Sequence, residues 1–141
     1  MIYVIIATIF YSIAIILVSA AARNLNTNVS AGLANTISAI IPLAVAAPYL
    51  TKQTLQDHRL GVGLALLAGI SIAIFTMASS KAYSLNKVAV VAPVVLGGSI
   101  FLSAILAMLI YKEKSSPMET LGLAVLGLGL LIIIYARATA K

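Results

Sequence analysis

Five apolar stretches constrain this chain more than any other feature, at about 1–22, 30–50, 60–80, 88–111 and 118–136. Each approaches or exceeds the ~20 residues that a helix needs to cross a ~30 Å hydrocarbon core. Hydrophobic residues make up 62% of the 141-residue chain, and the mean hydropathy is +1.15. A soluble fold of this length cannot bury that much apolar surface, so lipid has to be part of its solvent. The expected fold is an all-α integral membrane domain of five transmembrane helices, one domain over 1–141.

The polar segments between the stretches carry most of the charge. If all five stretches span, Lys52, Arg59, Lys112 and Lys114 lie on one side of the membrane. Arg23, Lys81, Lys87, Arg137 and Lys141 lie on the other. Orientation follows the Lys/Arg bias of short loops. Here the bias is four against five, which gives little electrostatic reason to prefer one orientation.

The net charge of +6 is not a nucleic-acid signal. The basic residues sit singly or in pairs at segment ends, with no basic stripe and no aromatic platform. Anchoring at the interface beside anionic headgroups accounts for them. No cysteine is present, which excludes disulfides and thiol chemistry. A lone His58 in the polar loop 51–59 does not make a metal site, which needs several converging ligands. Neither a metal nor a cofactor is expected. The first stretch lacks an early Lys or Arg and is too long for a signal peptide, so it reads as a retained first helix.

Along the chain, a polar turn with Asn24, Asn26 and Asn28 follows the first stretch, and Ser30 is the expected N-cap of the second. Pro42 and Pro48 make that second stretch the least regular, since each removes a helical donor. In the third, Gly61, Ala65, Gly69 and Ala73 recur every four residues, a small-residue stripe suited to close helix packing in lipid. The three–four connection, about 84–86, is short enough to make antiparallel neighbours. Ser116, Pro117 and Glu119 form a helix-start signature, with Ser116 as cap and Glu119 reaching back.

The most patterned stretch starts at Asn86 and reads Asn-Lys-Val-Ala-Val-Val-Ala-Pro-Val-Val. A long apolar run follows, then Tyr111-Lys112-Glu113-Lys114-Ser115-Ser116, then a last stretch punctuated by Gly122, Gly127 and Gly129. This resembles the second half of an EamA-type repeat of the drug/metabolite transporter superfamily. Pro93, Glu113 and Gly122 are the positions that match, as structural marks of the pattern. Before residue 80 little more than the segment count agrees. Ten-helix members of that family look like two five-helix repeats in opposite topology. The resemblance therefore implies an antiparallel homodimer, which the balanced charge would allow. The related small multidrug resistance proteins carry a Glu in their first segment that exchanges protons for drug. This chain has no carboxylate there.

The three carboxylates, Asp57, Glu113 and Glu119, fall in loops or at a helix start, so no catalytic set can be placed at bilayer depth. Glu113 reads first as a loop ion pair or cap. An enzyme is not expected, and proton coupling through a buried acid has no obvious seat. What remains is neutral and polar. Tyr11 and Ser12, with Thr8 and Ser19, mark one face of the first segment. Asn35 and Ser38 mark the second, Thr76, Ser80 and Tyr83 the third, and Ser99 and Ser103 the fourth. Converging, these faces would line a mildly polar pathway for a small organic solute. Against this, membrane Ser and Thr usually bond their own backbone or a neighbouring helix. Lys81 would snorkel to the interface or attract an anionic group at the mouth of the pathway.

The expected function is a membrane transporter subunit, moving a small organic metabolite or drug-like solute by alternating access as an antiparallel homodimer. A lipid-carrier flippase subunit and a non-transporting assembly subunit are the alternatives. The expected location is the inner (plasma) membrane of a prokaryotic cell, with the bilayer, a second copy and the solute as partners.

Overall fold

The polar turns dictate where each helix stops. A computed structural model describes residues 1–139; Lys141, counted above among the basic residues, lies outside them. Helix α1 runs Ile2–Asn24 and closes with two bonds. The Leu25 N–H donates to the Ala21 carbonyl at 2.9 Å, and the Asn24 amide to the Ala20 carbonyl at 2.8 Å. The turn is two residues long, because Asn26 already caps α2, Thr27–Ala46, by accepting from the Asn28 N–H at 2.9 Å. Ser30 is thus not the cap expected from sequence. Asn26 takes that place, and Ser30 lies inside the first turn, buried.

Proline shapes the end of α2. Pro42 lies within the helix and has no N–H to give the Ser38 carbonyl four residues back. After Ala46 the chain tightens into a 3₁₀ turn, Ala47–Tyr49, which contains Pro48. The polar loop expected over 51–59 holds a short helix, α3, Lys52–Asp57. Thr51 caps it, its hydroxyl accepting from the Thr54 N–H at 3.1 Å. His58 separates α3 from α4, Arg59–Leu85, which runs five residues past the expected end of the third stretch.

Helix α5 spans Val88–Ile110 with Pro93 inside. Helix α6 spans Pro117–Thr139. Its start is the capping box read from sequence. Glu119 accepts from the Ser116 N–H at 2.7 Å, and the Ser116 hydroxyl accepts from the Glu119 N–H at 3.3 Å. Such reciprocal bonds satisfy two donors that a helix start otherwise leaves open.

Five helices are therefore long and apolar enough to cross a membrane: α1, α2 with its 3₁₀ turn, α4, α5 and α6. Four are 23 residues and α4 is 27. Twenty-three helical residues cover about 35 Å, enough for the hydrocarbon core. The architecture is all-helical, in two units. The first, Met1–Leu85, packs α1, α2 and α4 pairwise. The second begins at Asn86 and is the α5–α6 hairpin.

Packing in each unit is by small residues. Along α5 and α6, Leu130 lies over Gly97 and Phe101 over Gly127. The pairs run in opposite sense along the two helices, so the hairpin is antiparallel. A Cβ on Gly97 would stand 2.7 Å from Leu130 Cδ2, closer than carbon atoms approach. In the first unit the buried residues are Ser19 and Ala22 of α1, Ser30 and Ala31 of α2, and Ser79, Ser80 and Tyr83 of α4. Of the small-residue stripe of α4, Ala73 is half-buried and the first three positions lie outside that packing. Gly61, Ala65 and Gly69 are exposed, and a Cβ on Gly61 or Gly69 would meet nothing within 4 Å.

Candidate functional site

Connectivity brings three helix ends together in the first unit. The two-residue turn sets the last turns of α1 beside the first turn of α2. Helix α4 packs on both and buries its own last turns. The side chains enclosed there are mostly hydroxyls. Ser19, Ser30, Ser79 and Ser80 are between 0 and 6% exposed. Small residues allow the close approach that lipid-embedded helices need. The hydroxyls are the polar cost of that approach.

Two of these hydroxyls are unusual. Ser30 Oγ and Ser80 Oγ are buried without a hydrogen-bond partner. Elsewhere in the spans the hydroxyls bond their own helix. Thr8 donates to the Val4 carbonyl, Ser12 to Thr8, Ser38 to Asn35 and Thr76 to Ile72, all at 2.8–3.0 Å. That local bond satisfies the hydroxyl at little cost. An enclosed hydroxyl without it costs about 1–3 kcal/mol. Ser30 and Ser80 are thus the enclosed hydroxyls of this junction left unsatisfied.

Around this junction the polarity continues along α2. Asn35 is one turn beyond Ala31 on the same face and half-buried. Its carbonyl accepts from Ser38, while its side-chain amide bonds no other described residue. Half-buried Thr76 stands one turn before Ser80 on α4. Tyr83 is buried and closes the end of the junction. Tyr11 and Ser12, about two turns before Ser19, are exposed, and so is Lys81 on the outer side of α4. The residues enclosed at the junction are hydroxyls, alanines and a phenol, with an amide beside them, and Arg23 is exposed in the adjoining last turn of α1. The enclosed groups can give and accept hydrogen bonds, and none of them moves a proton near neutral pH.

The second unit has a different feature. A cleft of about 470 Å³ opens at the turn end of the α5–α6 hairpin. Ala104, Ala107, Met108, Leu123 and Leu126 form its apolar part, and Glu113, Lys114, Ser115 and Glu119 its polar part. Gly122 also lines it, and a Cβ there would enter open space. Two of the three family-pattern positions, Glu113 and Gly122, therefore share one cleft. Pro93 is exposed, farther back in α5. Ser99 and Ser103 are exposed and donate to the carbonyls of Leu96 and Ile100 at 2.8 and 2.9 Å.

No family model, curated protein or solved structure matches this chain. The two sites rest on the residues themselves.

Sequence reasoning overlooked Ser30 as a lining residue, by reading it as a cap, and did not weigh Ser79. A signal was present. Ser19-Ala20-Ala21-Ala22, Ser30-Ala31 and Ala78-Ser79-Ser80 are small-residue clusters at helix ends that an up-down-up topology must bring level.

Proposed function

We propose that this protein is a transporter subunit that moves a small neutral or zwitterionic organic solute across a membrane as an antiparallel homodimer. The observation that carries the reading is the pair of enclosed, unpartnered hydroxyls, Ser30 and Ser80. They are enclosed at the ends of helices suited to span a bilayer, and a hydroxyl enclosed without a partner costs free energy wherever it lies. A solute bearing hydroxyl, amide or carbonyl groups would satisfy them in passing. Asn35 and Tyr83 extend the same polar lining. The enclosed residues themselves, Ser19, Ser30, Ser79, Ser80 and Tyr83, are neutral, which favours a cargo without net charge.

The antiparallel pairing rests on the even Lys/Arg distribution and on the resemblance of the stretch from residue 86 to half of a ten-helix transporter. With no acid within the junction, the reading favours facilitated diffusion or exchange over proton-driven uptake.

The experiment is uptake by proteoliposomes containing the purified protein, across a panel of radiolabelled neutral, zwitterionic and ionic solutes. Saturable flux of a neutral or zwitterionic solute, unchanged by a proton ionophore, is the expected result. Flux no greater than in empty liposomes for every solute would favour an assembly subunit and defeat the proposal.

A further inference from the structure

We propose that the cleft at the turn end of the α5–α6 hairpin binds a membrane phospholipid with an ammonium-bearing zwitterionic headgroup, of the phosphatidylethanolamine class. The lining divides in a way that matches such a lipid. Ala104, Ala107, Leu123 and Leu126 belong to helices that are apolar enough to lie in the hydrocarbon. Glu113, Lys114 and Ser115 belong to the turn that ends those helices, and Glu119 to the first turn of α6. One cleft therefore joins an apolar trough to a charged rim over the depth where acyl chain gives way to headgroup. Ala104, Ala107 and Gly122 keep the trough wide, since none projects beyond a methyl group.

The charges choose the headgroup. Two carboxylates, Glu113 and Glu119, and one ammonium, Lys114, line the cleft (formal charge −1, one positive against two negative), and exposed Lys112 adjoins Glu113 in the same turn outside the lining. A headgroup carrying only negative charge would leave both lining carboxylates without a partner. A zwitterion would place its ammonium by the carboxylates and its phosphate by Lys114 and the Ser115 hydroxyl. Glu119 already gives one oxygen to the Ser116 N–H. Glu113 forms no hydrogen bond or ion pair with another described residue, so it is the free ammonium acceptor. A water-soluble zwitterion would leave the trough unfilled, and a lipid fills both parts. This inference is independent of solute transport and stands or falls by its own test.

That test is native mass spectrometry of the purified full chain in mild detergent. The protein is titrated with phosphatidylethanolamine, phosphatidylglycerol of the same chains, or soluble phosphoethanolamine. Phosphatidylethanolamine should be retained at lower concentration than phosphatidylglycerol, and phosphoethanolamine should not be retained. Glu113→Gln, which removes no bond of the fold, should weaken phosphatidylethanolamine retention about two- to fivefold, the size of an exposed ion pair, with no loss for phosphatidylglycerol. Ala104→Leu, which narrows the trough, should weaken both lipids. Equal retention of the two lipids by the unaltered protein, or an unchanged titration with Glu113→Gln, would overturn the site. So would soluble headgroup binding as tightly as the lipid, or a second copy on this face that lipid does not displace.

Discussion

Ser80 has no accessible surface, and its hydroxyl has no partner. Thr76, one turn back and half-buried, has a hydroxyl of the same length but turned to the Ile72 carbonyl at 2.8 Å. That contrast separates structural hydroxyls from candidate ligands better than residue type does. Most hydroxyl positions read from sequence as pathway residues, Ser12, Ser38, Thr76, Ser99 and Ser103, bond backbone in their own helix. Sequence gives spacing around a helix, which is enough to collect these residues into faces. It does not give the rotamer that decides between a local carbonyl and a guest. Ser80→Ala should leave stability unchanged or raise it by up to about 1 kcal/mol, because it removes an unsatisfied polar atom, while it slows solute flux. Unfolding by denaturing detergent, measured beside uptake, checks both. A clear loss of stability would show that the hydroxyl holds helices together.

At the scale of elements, the two glycines of α5 make the case. Gly97 and Gly98 are adjacent and look alike in sequence. Only Gly97 receives a side chain, Leu130, while a Cβ on Gly98 would meet nothing within 4 Å. Gly97→Ala must displace the tip of Leu130, so overpacking offsets its helix-propensity gain and should leave it about 1–2 kcal/mol less stable than Gly98→Ala. Gly98→Ala should be neutral or gain up to ~1 kcal/mol from helix propensity. Unfolding midpoints of the two variants against the unaltered chain test the pair. Similar losses for both would contradict the packing described. The existence and order of the five long helices were legible in sequence because hydropathy sums over a whole segment. The α6 capping box was legible because it is local. Helix α3 was missed because six residues with Leu55 as the one apolar side chain carry no hydropathy signal. The stripe at Gly61, Ala65, Gly69 and Ala73 is used within this chain only at its half-buried last position, Ala73. Spacing shows that a face is smooth, not that a neighbour uses it, and α4 instead packs through Ser79, Ser80 and Tyr83.

For the whole molecule, the deciding quantity is charge on the two sides of the membrane. Lys52, Arg59, Lys112 and Lys114 balance the remaining five basic residues, of which Lys141 is beyond the described structure. An antiparallel dimer requires that the chain insert both ways, and a near-even bias is what permits it. The native absence of cysteine makes this accessible to labelling. His58, exposed between α3 and α4, makes no hydrogen bond through its side chain with another described residue and is a suitable single site for His58→Cys. Cells expressing that variant are treated with a membrane-impermeant maleimide before and after permeabilisation. Antiparallel pairing predicts that about half of the molecules react from outside and the rest only after permeabilisation, as expected when loop charge does not commit orientation. Labelling of all molecules from one side would contradict it.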